Sequence, residues 1–535
     1  MFKVFRLFPY SNPTPHSTFM VMLIFLTLFA LYPLLNNPHI NSGQLLSQIT
    51  EVTHAQSFAD KTNFLIFPFK KIIDLSENFA ANEFSQNITP VRLWAGDSVI
   101  YPIILGKLNR FTNIDMTLLG RLLSFISYLI LILTGWIWGK KLARPHQSQL
   151  FFHPNLHYAP TILPLLLALY PVFRLYSISV MPDMSLATLT FLSLFFYYQR
   201  KRKLALFILS LSTLLRSFSV FLILGLFIFE ILSKNKKYKF YLYFILSLIP
   251  LSLYYFLVYY FQVPSTLFQS FFEHSQISIL LKFEFWQRIF TWLALKNSTP
   301  MGFFLSVMGF IFILSKRKVY PKFLTWPLGL ILGQVIFICT SPGEFYSFDY
   351  YPIITMLIFI LLATAGLNNM LVKCSKKKWL PPQVMLIFIM SLIFSFSIPM
   401  TFKSQIPHPF FPVIGKIISQ QTSPQDKILV VGDHGTEIPL YESNREGWIL
   451  KINKIQSMTK VQREILLNLF KNGAIQTILI FDSSKSEASK LELLKMVNPE
   501  INLDDWQLTI EDFIEGNGKK ISPVYYQLFT LTLNK

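Results

Sequence analysis

Met116-Thr-Leu-Leu-Gly-Arg-Leu-Leu-Ser-Phe-Ile-Ser-Tyr-Leu-Ile-Leu-Ile-Leu-Thr-Gly-Trp-Ile-Trp-Gly-Lys-Lys141 joins an apolar run of bilayer length to a pair of lysines, and the pattern repeats along the chain. Apolar runs of about 17–25 residues are what a hydrocarbon core requires. They recur here from about Phe19 to Ile398. Alternate connectors carry Lys and Arg without an acid: Lys140, Lys141 and Arg144, then Arg200 to Lys203, Lys234 to Lys239, Lys316 to Lys322, and Lys373 to Lys378. Connectors of the opposite parity hold Glu51, Asp60, Asp74, Glu77, Glu83, Asp97, Asp183, Glu273, Glu284, Glu344 and Asp349. This asymmetry is the positive-inside signature of a polytopic helical membrane protein, and it puts the basic connectors in the cytoplasm.

Composition points the same way. With 52% hydrophobic and 14% charged residues, the 535-residue chain does not read as a soluble globule. The net charge of +20 belongs largely to the basic connectors, which suit anionic lipid heads, so nucleic acid is excluded as a partner. The two cysteines, Cys339 and Cys374, fall on opposite sides of the expected membrane and form neither a disulfide framework nor a metal cluster. The N-terminal run has a basic flank (Lys3, Arg6) but no small-residue cleavage site, so it reads as a retained first helix.

About eleven crossings are expected, near 18–36, 116–139, 159–175, 184–199, 204–214, 218–233, 240–262, 300–315, 323–341, 352–372 and 382–399. The pair at 204–214 and 218–233 is short for two spans and is separated by Arg216. The reading is of an all-α polytopic membrane domain, residues 1–399 with a long outer segment 37–115, followed by an extracytoplasmic α/β domain, residues 400–535. In that tail, 427–431 and 474–481 read as strands. Thr459 and Gln462 form a capping box opening a helix that Gly473 ends. A second helix is expected at 486–496 and a last strand near 524–533. Alternation of this kind makes a small open sheet. Gly432-Asp-His-Gly435 lacks phosphate-loop spacing, so the tail reads as a cap over the outer loops.

Ionisable groups near membrane depth are the natural places to look for chemistry. Asp183 lies in Val180-Met-Pro-Asp-Met184, a short outer turn, where it either caps the following helix or acts chemically. Asp97 lies in Leu93-Trp-Ala-Gly-Asp-Ser-Val-Ile-Tyr-Pro102, where Gly96 permits close backbone approach and Trp94 offers a flat face for a sugar ring. Arg121 and Arg216 border apolar spans and are either phosphate partners or interhelical pairs. Isolated histidines (His54, His274, His434) have no partner at metal spacing.

The order of these motifs resembles the GT-C superfamily of membrane glycosyltransferases, in the branch of protein O-mannosyltransferases and the lipid A aminoarabinose transferase. The resemblance rests on Asp97-Ser-Val-Ile-Tyr-Pro102, Leu119-Gly-Arg-Leu-Leu-Ser124, Met181-Pro-Asp183, Leu214-Leu-Arg-Ser217 and Phe348-Asp-Tyr-Tyr-Pro352. In the tail it rests more weakly on Tyr441-Glu-Ser-Asn-Arg-Glu-Gly-Trp448. It departs from the family after the first helix, where Asn37-Pro-His-Ile-Asn-Ser-Gly-Gln44 carries no acid.

The resemblance implies inverting transfer of a sugar (hexosyl or pentosyl) from a polyprenyl-phosphate donor to an acceptor at the outer face of the plasma membrane. Asp97 is the implied base, with Glu51 and Asp60 as alternatives. Asp183 is the second catalytic carboxylate, positioning the acceptor or a metal. Arg121, Arg216, Trp94, Tyr101, Asp349 and Tyr350 bind substrate. No metal ligand is assigned, since the carboxylates show no ligand spacing, although a divalent metal would be compatible with the chemistry. The competing classes are a transporter or flippase of lipid-linked sugars and a non-catalytic scaffold. A transporter usually shows internal repeats, and none is visible between the halves of this chain.

Overall fold

The structure is a computed structural model. It describes residues 98, 100–143, 156–233, 238–260, 277–315, 321–347, 351–377, 381–405, 410–432, 437–451, 458–482, 506–514 and 524–531, with short pieces at 52, 55, 69–70, 72–74 and 92–93. The expected first helix at 18–36 and the tail helix at 486–496 lie outside these residues. Chain contacts divide the molecule into two compact units, residues 1–38 with 95–406 and residues 39–94 with 407–535.

The first unit is helical. Its helices are α1 (Ile100–Thr112), α2 (Met116–Ala143), α3 (Ala159–Leu169), α4 (Pro171–Tyr176), α5 (Asp183–Tyr198), α6 (Arg202–Leu215), α7 (Val220–Leu232), α8 (Tyr238–Tyr260), α9 (Phe283–Thr291), α10 (Pro300–Ser315), α11 (Pro321–Thr340), α12 (Pro342–Ser347), α13 (Ile353–Lys377) and α14 (Pro382–Gln405). Ten of the expected apolar runs therefore fall on helices. By length and apolarity, four described helices can cross a membrane: Met116–Ala143, Tyr241–Tyr260, Ile353–Lys376 and Pro382–Thr401. A bent pair, Phe283–Asn297 with Pro300–Ser315, turns through 104°.

Two expected spans differ from simple rods, each for a local reason. The run 159–175 breaks at Tyr170, whose ψ of 130° is the extended backbone that the following Pro171 imposes. At Arg216 the backbone is extended (φ −151°, ψ 123°), and the chain reverses there between α6 and a short 3₁₀ turn, Ser217–Ser219, that leads into α7.

Helices in an apolar medium gain little from hiding grease, so small residues and hydrogen bonds hold them together. A Cβ on Gly309 of α10 would stand 1.8 Å from the Leu362 carbonyl oxygen, and one on Gly366 of α13 2.3 Å from that of Leu305. The two backbones touch there, and only glycine at both positions permits it. Across α2 and α5, the Ser127 and Ser185 hydroxyls lie 2.8 Å apart, and the Thr188 hydroxyl donates to the Ser127 carbonyl at 2.7 Å.

The second unit carries a six-stranded sheet in the order β2-β5-β4-β6-β8-β7, from β2 (Ile72–Asp74), β4 (Ile428–Gly432), β5 (Gly447–Lys451), β6 (Thr477–Asp482), β7 (Trp506–Ile514) and β8 (Val524–Leu531). A separate two-residue ladder joins β1 (Phe69–Lys70) antiparallel to β3 (Arg92–Leu93). The inner strands β4, β5 and β6 pair in parallel, β2 extends them in parallel on β5, and β8 and β7 finish the sheet antiparallel. The continuous apolar character of Ile428–Gly432 is what a strand covered on both faces requires.

The helices of this unit are α15 (Phe410–Gln421), α16 (Glu437–Glu442) and α17 (Lys460–Lys471). The capping box at Thr459 and Gln462 forms as expected, and Gly473 ends the helix with φ of +62°. The Tyr441–Trp448 stretch does packing work. Arg445 donates to the Thr422 hydroxyl and carbonyl at 3.0 and 2.8 Å, closing the end of α15. Trp448 is buried in β5. A Cβ on Gly447 would meet the Ile428 carbonyl oxygen at 1.9 Å.

Gly309→Leu should destabilise the helical unit by about 1–3 kcal/mol or more, since the backbone contact cannot open without moving α10 from α13. Thermal unfolding of detergent-solubilised protein measures the loss, with Leu305→Met as the volume-conserving control.

Candidate functional site

Pro182 ends the turn before α5, and Asp183 is the first residue of that helix. Asp183 is not its cap. Pro182 holds the N-cap position and makes no side-chain cap bond. The Asp183 carboxylate instead accepts a hydrogen bond from Nη2 of Arg216 at 3.3 Å, and the two side chains are 0% and 6% exposed. Arg216 reaches it because the extended backbone at the end of α6 turns its side chain out of the helical path.

The turn ahead of Asp183 is clamped against α2. The Ser124 hydroxyl donates to the carbonyls of Ser179 (2.7 Å) and Met181 (3.2 Å). One turn earlier on α2, a Cβ on Gly120 would stand 2.3 Å from Cγ1 of Val180, so only glycine lets the turn approach so closely. The Tyr101 hydroxyl of α1 donates to the Gly120 carbonyl at 3.3 Å. Arg121 follows directly and is 2% exposed. The structure thus gathers four of the expected residues at one end of the bundle: Asp183 and Arg216 in direct contact, and Tyr101 and Arg121 through the Gly120–Val180 packing.

An aromatic group stands beside this end. Phe218 stacks on Phe337 at 5.4 Å and meets Tyr351 edge-on at 4.9 Å. Phe345 packs on both Phe337 and Tyr351. Tyr351 is buried in this cluster.

The remaining candidates, Glu51, Asp60, Trp94, Asp97, Asp349 and Tyr350, lie outside the described residues. Ser98, next to Asp97, is buried at 3% exposure. Among the described residues no three His, Cys, Asp or Glu side chains gather as a metal site.

The sequence reading passes over Glu230, Arg202, Tyr197 and Arg174. Glu230 is the one acid in Val220–Leu232 and is 1% exposed. It pairs with Nη2 of Arg202 at 2.9 Å and accepts the Tyr197 hydroxyl. Arg174 is buried on α4 with its guanidinium 5.6 Å from the centre of the Phe394 ring. An acid inside an apolar run is a signal legible in the sequence.

No protein-family model matches the chain, and no curated protein sequence does. Solved structures do match. ArnT from Cupriavidus metallidurans in the apo state superimposes with a TM-score of 0.58 at 12% identity, over 96% of this chain and 98% of that one. The same protein bound to undecaprenyl phosphate gives 0.58 at 11% identity with the same coverage. The oligosaccharyltransferase of Archaeoglobus fulgidus in the apo form gives 0.53 at 9% identity, over 92% of this chain and 73% of that one. The chain therefore shares the fold of these solved structures over nearly its whole length.

Proposed function

We propose that this protein is a multi-pass glycosyltransferase of the plasma membrane that moves a sugar from a polyprenyl-phosphate donor to an acceptor at the outer face. The observation that carries the reading is the buried Asp183–Arg216 pair on a turn clamped to α2, in this fold. A fully buried ion pair is costly, and such pairs within membrane helices are typical of substrate pathways. The solved complex of ArnT with undecaprenyl phosphate supports a ligand of that class for this fold. The alternating charge of the connectors supports a cytoplasmic N-terminus, with the Asp183 end and the tail outside.

In the proposed reaction the acceptor hydroxyl attacks the anomeric carbon in one displacement. The new glycosidic bond forms as the carbon–oxygen bond to phosphate breaks, with inversion. Asp97 takes the hydroxyl proton as general base, and Glu51 and Asp60 remain the alternatives. The electron pair of the broken bond leaves on the polyprenyl phosphate. Arg216 and Arg121 are assigned to that growing charge, for which guanidinium forks are suited. Asp183 holds the Arg216 guanidinium in place, and its own charge keeps the arginine from binding the product phosphate too tightly. Trp94, Tyr101, Asp349 and Tyr350 are assigned to the sugar and acceptor. No step is routed through a metal.

Mass spectrometry of membranes with and without the gene tests the reaction class. Deletion should accumulate one polyprenyl-phosphate sugar and remove one glycosylated product. No change in any lipid-linked sugar, with wild-type expression verified, would refute the reading. In purified protein, Asp97→Asn should abolish donor turnover while leaving the unfolding temperature unchanged. Arg216→Lys, which keeps the charge but loses the fork, should lower kcat about 10²-fold. Removing either member of the buried pair alone should cost about 3–5 kcal/mol of stability, and the double variant Asp183→Asn/Arg216→Gln should recover part of it. Thermal unfolding of the three variants checks this ordering.

A further inference from the structure

We propose that Glu230 is a positioning residue that holds Arg216 in register with Asp183 from the opposite end of the bundle. The inference rests on the role assigned above to the Asp183–Arg216 pair. Helices α5 and α6 pack antiparallel along their length, and α7 runs back from the Arg216 end toward the start of α6, with a polar contact at each end. At one end Asp183 of α5 meets Arg216 at the close of α6. At the other, the Glu230 carboxylate of α7 accepts the hydroxyl of Tyr197 near the end of α5 and pairs with Arg202 at the start of α6. All three helices of the group therefore converge on one carboxylate.

The spacing makes the two ends interdependent. Tyr197 lies fourteen positions after Asp183, Arg216 fourteen after Arg202, and Glu230 fourteen after Arg216. At 1.5 Å per residue the first two segments, in α5 and α6, are matched struts of about 21 Å, while the third passes through the Ser217–Ser219 turn before it follows α7 back to Glu230. The turn between α5 and α6 allows little slack. Arg200 sits in the left-handed region at φ 64°, the Lys201 amide donates to the Phe196 carbonyl at 3.0 Å, and the Ser193 hydroxyl donates to the Ala205 carbonyl at 2.8 Å. A slide of α6 along α5 is thus opposed at the Glu230 end, and the same slide is what would carry Arg216 away from Asp183.

An apolar contact would hold three helices together at a lower desolvation cost, but it would tolerate several registers. A hydrogen-bonded buried charge fixes one, which is the best-attested use of buried ionic groups. Misplacement of a charge-stabilising group by about 1 Å can cost 10²-fold in rate. A carboxylate far from the chemistry can therefore govern it through geometry alone.

The test uses the full-length protein in detergent, with Cys339 and Cys374 replaced by serine and spin labels at Leu189 and Leu214. Pulsed electron–electron distances in this background report the register of α5 against α6 without reference to any activity. Glu230→Ala and, as a milder second variant, Arg202→Ala should shift or broaden the distance distribution. An unchanged distribution in folded protein of either variant overturns the proposal.

Kinetics supply the second readout. Glu230→Ala should lower kcat for the lipid-linked donor about tenfold or more with KM moved less, and Glu230→Gln, which keeps an acceptor for Tyr197, should fall between it and wild type. In Arg216→Lys, adding Glu230→Ala should cause little further loss, since both act through one guanidinium. Independent, multiplying losses would overturn the proposal. If the wild-type protein turns over no lipid-linked sugar, the proposed function fails, while the distance measurement still decides the role of Glu230 in register.

Discussion

Taking a carboxylate out of water costs several kcal/mol even after the surroundings relax, and an unpaired one would simply take up a proton. Asp183 is fully buried, and the fold answers that cost with the guanidinium of Arg216. For the arginine to arrive, α6 must stop at Leu215 and the chain must go extended for one residue. For the aspartate to arrive, a proline turn must press against α2, which requires Gly120 and the Ser124 hydroxyl where they stand. One ion pair thus dictates a helix end, a turn and a glycine on three separate elements.

The same economy recurs through the helical unit. Where helices touch most closely, glycine removes the side chain altogether, as at Gly309 and Gly366. Where they touch less closely, a hydroxyl spends its donor on a carbonyl across the interface, as Tyr170 does to Gly302 at 3.1 Å and Tyr128 to Ala168 at 2.8 Å. These contacts are directional in a way apolar packing is not. They suit a bundle that holds one arrangement in a medium that supplies little hydrophobic drive.

The helical architecture was legible because periodic grease and the sidedness of Lys and Arg are strong, redundant signals. Arg216 was legible as an oddity between two short apolar runs, and Asp183 as an acid in a turn between two others. What the pattern could not give was their contact, which spans 33 positions and depends on how α5 and α6 stack. The cap reading of Asp183 failed because a proline held the N-cap, and Arg216 pairs across helices with Asp183. Glu230 was missed for a different reason. Attention to connectors passes over an acid one turn inside a span. In the tail, β4, β6 and α17 were readable from apolar runs and caps, whereas β5 was hidden inside a stretch that resembled a family motif.

Strand β2 comes from residues 72–74 and lies in parallel register on β5 at 447–449. The two partners are separated by almost the entire helical unit in the chain. That edge of the sheet cannot be completed while the protein is being synthesised and inserted, until the C-terminal residues have emerged. Contacts of such long sequence separation form late and slowly, and an unpaired strand edge is open to wrong partners in the interval. Biogenesis of this protein therefore has a waiting period: residues 72–74 stay without their sheet partner until residues 447–449 are available to receive them.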